Sequence, residues 1–114
     1  MDHTADAVLR SGRWSGYYAH YGGKYPQQMT VELADGVLRG GGHDQVGRFV
    51  VEGEYRAHGD RVQVGWIKTY DGAHSILYLG ELVDGEIRGH WSFGTWPGRE
   101  RFAMRWVARD VEGA

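Results

Sequence analysis

The chain has 114 residues, a formal net charge of −2 at pH 7, 41% hydrophobic and 25% charged residues, and no cysteine. This fits one globular domain with a modest core, and it excludes disulfides, thiolate metal sites and the basic stripe of a nucleic-acid-binding protein. Because no apolar run approaches the length of a membrane span and the first ten residues do not resemble a signal peptide, we expect a cytoplasmic protein with no membrane partner.

Short polar turn signals recur along the chain at regular spacing. Asp35-Gly36, Asp71-Gly72 and Asp84-Gly85 are typical of hairpins, because glycine accepts the positive φ that primed turns need. Runs with a period of two lie between the turns and predict eight strands: 13–20, 25–34, 37–43, 48–56, 61–70, 74–83, 86–93 and 101–108. The predicted fold is all-β, a single eight-stranded antiparallel up-and-down β-barrel in one domain over 1–114, with a core of about 12–108 and short flexible tails.

Alternation along each strand separates a charged outward face from an inward face. The inward residues divide by height along the strands. A hydrophobic group falls at the end that carries the turns after strands 2, 4 and 6, here called the base: Trp14, Leu33, Leu38, Tyr55, Val62, Leu82, Ile87 and Trp106. A polar and aromatic group falls toward the opposite end, here called the mouth: Tyr18, His20, Gln27, Asp44, Lys68, Tyr70 and His74, with Trp66, Tyr78, Trp91 and Phe93 just below.

This segregation predicts a ligand site at the mouth. An eight-stranded barrel is just wide enough to hold one small ligand, and ligand sites are usually apolar cups with a few convergent polar groups. The expected ligand-binding residues are those of the polar and aromatic group together with one loop residue: Tyr18, His20, Gln27, Asp44, Trp66, Lys68, Tyr70, His74, Tyr78, Trp91, Phe93 and Trp96.

Lys68 is the least ordinary of these residues. A buried ammonium needs a partner or its pKa falls, and Asp44 is the nearest inward carboxylate by height. Alternatively, Lys68 extends to the mouth, is solvated there and has no role. Lys68, Tyr70, His20 and His74 are the candidate acid–base groups of a catalytic site. Because the histidine spacing matches no metal motif, we expect neither a metal nor another cofactor.

Two features point to surfaces used outside the pocket. Trp96, in the loop over residues 94–98, is a candidate lid or a contact to a neighbouring subunit. Several outward positions on strands 4, 5, 6 and 8 are apolar, which favours a homodimer or higher homo-oligomer; they are Val50, Ile67, Leu77, Leu79 and Val107.

Three segments resemble the calycin barrels, and among them the avidin and streptavidin group. Gly12-Arg-Trp14 resembles the Gly-x-Trp opening of calycins, in which the Trp closes one end of the barrel. The segment 64–75, which contains Trp66, Tyr70 and Ala-His74-Ser, and the segment 87–91, which ends in Trp91, resemble the strands that carry the pocket tryptophans of streptavidin, and Trp96 would stand for its lid. Gly16 and His20 replace polar residues that hold biotin in that group, so the resemblance implies the barrel and a ligand site without implying biotin.

Three functions are compatible with this pattern. The first is a small-molecule-binding barrel that holds an aromatic or amphipathic metabolite, with Lys68 favouring an anionic or carbonyl group. The second is an enzyme on the same barrel, a cyclase or isomerase of a metabolite that uses Lys, Tyr and His acid–base groups. The third is an oligomeric interaction protein with a filled interior.

Overall fold

A computed structural model describes residues 9–93 and 98–107 of the chain. Eight strands form in it: β1 (Gly12–His20), β2 (Gly23–Ala34), β3 (Val37–Asp44), β4 (Arg48–His58), β5 (Arg61–Tyr70), β6 (Ser75–Val83), β7 (Glu86–Phe93) and β8 (Glu100–Trp106). Each strand pairs antiparallel with the next, and β8 pairs with β1, so the sheet is a closed up-and-down barrel. The predicted all-β class and the eight-stranded barrel are therefore confirmed, and the architecture is consistent with a calycin-like fold.

Nine of the sixteen predicted strand ends coincide with those of the structure, and the other seven differ by one or two residues. The largest consequence concerns His74, which was predicted to begin strand 6 and instead lies in the preceding turn, where its carbonyl faces the N–H of Tyr70 at 3.4 Å. Two base turns have the expected primed geometry, since Asp35 and Gly36 have φ of 52° and 82°, and Asp84 and Gly85 repeat it with 52° and 81°.

The base of the barrel is closed by an apolar plug that includes a residue outside the predicted strands. Leu9 and Trp14 are each 1% exposed and belong to the same buried cluster. The chain before β1 is fixed there because the Trp14 indole N–H donates to the carbonyl of Arg10 at 2.9 Å, and the Trp106 indole N–H donates to the carbonyl of Ser11 at 3.1 Å. The plug leaves the mouth as the end at which polar side chains can meet.

Above the plug, three aromatic rings fill the middle of the barrel. Trp66 and Tyr78 stack at 5.2 Å with an interplanar angle of 9°, and Phe102 meets both edge-on at 5.3 and 4.8 Å. Room for these rings comes from inward glycines on neighbouring strands: a Cβ on Gly53 would lie 2.7 Å from the Cβ of Trp66, and one on Gly80 would lie 3.1 Å from Cζ of Phe102. Large side chains beside glycines thus let the narrow barrel close around a packed layer.

The outward alternation also holds on β6. Ile76 and Tyr78 are buried, whereas Leu79 is 52% exposed. The strand therefore has apolar residues on both faces, and its outward ones form part of an apolar outer wall. Among residues 9–93 and 98–107, no helix is long and apolar enough to cross a membrane.

Replacing Leu9 tests the role of the plug. We expect Leu9→Ala to lower the free energy of unfolding by about 2–4 kcal/mol, because it removes buried methyl groups and leaves a void beside Trp14. Val46→Ala, at a position 61% exposed, is the control and should cost less than about 0.5 kcal/mol. Urea denaturation at equilibrium measures both, and equal small losses would contradict a packing role for Leu9.

Candidate functional site

Four strands deliver polar side chains to one point inside the barrel, above the aromatic layer. Lys68 on β5 is 1% exposed, and its ammonium donates to Asp44 Oδ2 at 2.6 Å, Gln27 Oε1 at 2.8 Å and the Tyr78 hydroxyl at 3.3 Å. The Tyr70 hydroxyl donates to the same Asp44 oxygen at 2.6 Å. We refer to Gln27, Asp44, Lys68, Tyr70 and Tyr78 as the polar network.

The strand register explains why these residues meet. Gln27 on β2 pairs with Asp44 on β3, and Lys68 on β5 lies one inward step above Trp66, which pairs with Tyr78 on β6. Lys68 then spans the interior toward β2 and β3, where its ammonium reaches Gln27 and Asp44. The expected pairing of Lys68 with Asp44 is present, whereas the alternative of a lysine solvated at the mouth is wrong.

Aromatic faces surround the ammonium and complete its enclosure. Lys68 Nζ lies 4.4 Å from the ring centroid of Phe49, 4.8 Å from that of Tyr18 and 5.0 Å from that of Tyr70. Such cation–π contacts stabilise a cation that has lost its water. Three hydrogen-bond acceptors at once are what an ammonium with three protons requires, so the geometry fits the charged form of Lys68.

Burial and pairing shift the titration of the network. Burial lowers the pKa of Lys68, and Asp44 opposes this shift through a hydrogen bond and its charge. For Asp44, burial alone would raise the pKa, but the hydrogen bonds from Lys68 and Tyr70 and the charge of Lys68 together hold the pKa below its usual value. Burial, followed by the contact with Asp44, raises the pKa of Tyr70, and burial also raises the pKa of Tyr78, so both phenols stay protonated.

Asp44 also anchors the loop between β3 and β4. Its Oδ1 accepts the backbone N–H of Val46 at 2.9 Å and that of Gly47 at 3.3 Å, while Oδ2 holds Lys68 and Tyr70. One carboxylate thus joins the interior to a loop at the mouth, and its side chain is fully enclosed.

An arc of aromatic rings runs around the mouth above the network. Successive ring centroids are 5.3 Å apart from His20 to Trp91, 5.4 Å from Trp91 to Phe93, 5.8 Å from Phe93 to His74 and 5.5 Å from His74 to Tyr70. The Trp91 indole N–H is bound to the carbonyl of Ala19 at 2.8 Å, which fixes its ring. We call His20, Trp91, Phe93 and His74 the aromatic arc.

Two members of this arc lie further out than the sequence predicted. Phe93 was expected to face inward but is 55% exposed, because the last β7–β8 pair is Trp91 with Glu100 and no residue of β8 stands beside Phe93. His74 was expected inward on strand 6 but is exposed in the turn that precedes it. Conversely, Lys68 and Tyr70 were expected at the rim and are buried below it.

The remaining predicted site residues fall into two groups. Trp66 and Tyr78 pack against each other beneath the ammonium, and Tyr18 lies 9% exposed beside Trp91 at 6.3 Å, so these three line or support the interior. Trp96 lies outside the described residues. No cluster of three or more His, Asp or Glu side chains that could hold a metal occurs among the described residues.

Sequence reasoning missed one residue at the mouth, Glu100. Its Oε2 accepts the backbone N–H of Tyr21 at 3.2 Å and lies 3.9 Å from His20 Nδ1. Strand 8 was predicted to begin at residue 101, one position late. The alternation therefore did not include Glu100 and could not predict that it faces the β1–β2 turn.

Comparison with known proteins adds no assignment. No protein-family model matches this chain, and neither the curated proteins nor the solved structures contain a match to it.

Removing the ammonium tests whether the network is a coupled unit. We expect Lys68→Met to lower the free energy of unfolding by about 3–5 kcal/mol, because it leaves the enclosed Asp44 carboxylate without its cation. Adding Asp44→Asn should recover at least about 1 kcal/mol of that loss, since no buried charge then remains. Denaturant titrations of wild type, both single variants and the double variant give this cycle, and additive losses would contradict the coupling.

The shifted Asp44 predicts how stability depends on acidity. Because the folded-state pKa of Asp44 is lower than that of an unfolded aspartate, its contribution is present above about pH 4 and is lost as pH falls through the folded value. Compared with wild type, Asp44→Asn should therefore flatten the loss of stability as pH falls from about 5, judged by denaturation midpoints at each pH. Asp60→Asn, at an exposed turn position, serves as the control, and an unchanged acid slope in the Asp44 variant would contradict the assignment.

Proposed function

We propose that this barrel binds one small, uncharged, partly aromatic molecule at its mouth. The observation that carries the proposal is a pair of buried polar atoms, Gln27 Nε2 and His20 Nδ1, that have no hydrogen-bond partner in the described part of the chain. Gln27 itself is only 4% exposed. A buried donor left unpaired costs about 1–3 kcal/mol, so a molecule that offers an oxygen to the Gln27 amide would recover this energy.

The charge of the network argues for a neutral ligand. All three protons of the Lys68 ammonium are taken by protein oxygens, and the Asp44 carboxylate balances its charge. An anionic ligand would have to displace one of these partners and leave Asp44 without its cation, which is costly in an enclosed site. Lys68 and Tyr78 both donate to the side-chain oxygen of Gln27 and so fix its amide. The N–H₂ group of that amide is therefore a better-placed donor to a ligand than the Lys68 ammonium.

The aromatic arc supports a flat or partly aromatic ligand. His20, Trp91, Phe93 and His74 present ring edges and faces around the mouth, and Phe93 is half exposed although it is a large apolar residue. Ring faces of this kind bind planar apolar groups by stacking and edge contacts, and aromatic linings with a few polar groups are usual in ligand sites.

An avidin-like arrangement of the barrel is part of the proposal. In support, Trp14 is buried at the base, as the Gly-x-Trp resemblance implies, and Trp66 and Trp91 both face the interior. Gly16 and His20 stand where that group binds biotin with polar side chains, so the ligand proposed here differs from biotin.

A second candidate is a cyclase or isomerase that uses the same groups. The lowered pKa of the buried Lys68 favours its use as an acid–base group, and the Tyr78 hydroxyl lies 3.3 Å from its ammonium. Against it, the raised pKa of Tyr70 and of Tyr78 makes both phenols poor acids near neutral pH, and Lys68 is saturated with partners. Binding without chemistry is therefore the function that the geometry supports best.

Matched neutral and anionic probes test the proposal. We expect benzamide and 2-naphthamide to raise the melting temperature at millimolar concentration, and benzoate and 2-naphthoate to have little effect. Gln27→Glu keeps an oxygen acceptor for Lys68 but removes both amide donors, so it should weaken amide binding at least about tenfold. Gln28→Glu, at the exposed neighbouring position, changes the net charge equally and should bind as wild type does.

Three results would contradict the proposed function. The first is that the carboxylates bind as tightly as the amides. The second is that Gln27→Glu binds the amides like wild type. The third is that no probe raises the melting temperature of the protein. Native mass spectrometry of the purified chain gives an independent check, because a bound neutral molecule adds its mass to the 12.8 kDa chain.

A further inference from the structure

A second concave surface lies on the outer wall of the barrel, at the point where β1 and β8 separate. The β1–β8 ladder ends at the pair of Tyr18 with Phe102, although β1 continues to His20 and β8 already begins at Glu100. The two strands are therefore unpaired with each other near the mouth, and a cavity of about 350 Å³ lies beside this opening. We call this cavity the outer cleft; it is lined by residues 17, 19, 22–24 and 99–101.

Cations from two strands flank the outer cleft. Lys24 pairs with Ala19, and the register that joins Tyr18 to Phe102 places Arg101 opposite Ala19 on its other side. Because Tyr18 and Phe102 are buried in the barrel, the neighbouring Ala19 and Arg101 face outward. Lys24 and Arg101 thus stand on either side of a small alanine, with their backbones about 10 Å apart across three strands.

The cations of the outer cleft have no carboxylate of their own. Within residues 9–93 and 98–107, none lies at ion-pair distance from Lys24, Arg99 or Arg101, whereas Arg88 on β7 has one at 2.6 Å. Lys24 Nζ instead lies 4.6 Å from the ring centroid of Tyr17, which holds the ammonium against the wall of the cleft. Both arginines are exposed, so their guanidinium forks are available to a ligand.

Glu100 also lines the outer cleft, but its carboxylate is engaged on the other side of the wall. Its Oε2 accepts the backbone N–H of Tyr21 at 3.2 Å and lies 3.9 Å from His20 Nδ1. Glu100 pairs with Trp91, which is buried in the barrel, so the two side chains share the inner face. Three cations and this one carboxylate leave two positive charges at the cleft, which a doubly charged anion balances.

We propose that the outer cleft binds a doubly charged phosphate group, either the free ion or the phosphate ester of a small molecule. Arg99 and Arg101 donate to its oxygens through their guanidinium forks, and Lys24 adds a point charge from the opposite side. The small side chain of Ala19 leaves room for the phosphate between them. The site lies on the outer wall and does not use the Gln27 amide, so it is independent of the neutral ligand proposed for the mouth.

Inorganic phosphate locates the site. In proton–nitrogen correlation NMR spectra of the full chain at low ionic strength, we expect phosphate to shift the amide signals of Ala19, Gly23 and Arg101 saturably. The signal of Gly36, in a turn at the base, should stay unchanged. Acetate carries one charge and should bind at least about tenfold more weakly than phosphate. Equal binding of acetate, or phosphate shifts that avoid the cleft, would overturn the proposal.

Matched charge variants separate the cleft from the net charge of the protein. Arg101→Gln and Lys24→Gln should each weaken phosphate binding at least about tenfold, because each removes a charged donor to the phosphate. Arg13→Gln, at an exposed position toward the base end of β1, removes the same charge and should bind as wild type does. Wild-type binding by both cleft variants, or equal weakening by all three variants, would overturn the proposal.

Phenyl phosphate distinguishes the two sources of the phosphate group. Tighter binding of phenyl phosphate than of inorganic phosphate assigns the cleft to a phosphate ester, whereas equal or weaker binding assigns it to the free ion. Binding of neither would overturn the proposal. Phosphate should bind equally well with and without 2-naphthamide, so a failure of the amide probes at the mouth leaves the result for the outer cleft unchanged.

Discussion

The positive charge of Lys68 stands where water cannot reach it, and the upper half of the barrel is organised around that constraint. An unpaired ammonium in this position would cost several kcal/mol, a large part of the marginal stability of a domain of this size. Its partners come from separate strands, Gln27 on β2, Asp44 on β3 and Tyr78 on β6, so satisfying the charge ties β2 and β3 to β5 and β6 across the interior. Replacing a single partner therefore disturbs several strands.

The same constraint separates the lysine from the mouth. Because its protons are used and its charge is balanced, Lys68 contributes to the proposed ligand binding only through the groups that the network holds in place. The clearest of these is Gln27, whose carbonyl oxygen accepts from Lys68 while its amide nitrogen has no partner. In the proposed function a charged residue supports a neutral donor, and charge composition alone does not reveal such an arrangement.

Much of the fold was predictable because hairpins are local. Asp-Gly turns and period-two alternation lie within a few residues of each other, so strand number, order and nearly all inward positions could be derived from them. The predicted heights of the inward side chains along the barrel were less accurate, because the height of each side chain depends on where the neighbouring strands end. Phe93 and His74 were placed too deep, since β8 stops short of Phe93 and the β5–β6 turn includes His74. Leu9 was missed because it lies outside any alternating run, and the unpaired amide of Gln27 depends on distances that no spacing encodes.

The ring of eight strands has one seam between segments far apart in sequence, where β1 meets β8. Every other strand pair joins consecutive strands, so each can form as a local hairpin with little loss of chain entropy. The entropic cost of bringing distant segments together falls on this seam, which is clasped at one end by Trp106 on Ser11 and at the other by Glu100 on Tyr21. Folding is thus expected to proceed as a curling sheet whose final, slowest event is circularisation, with these two clasps formed only once the ring is complete.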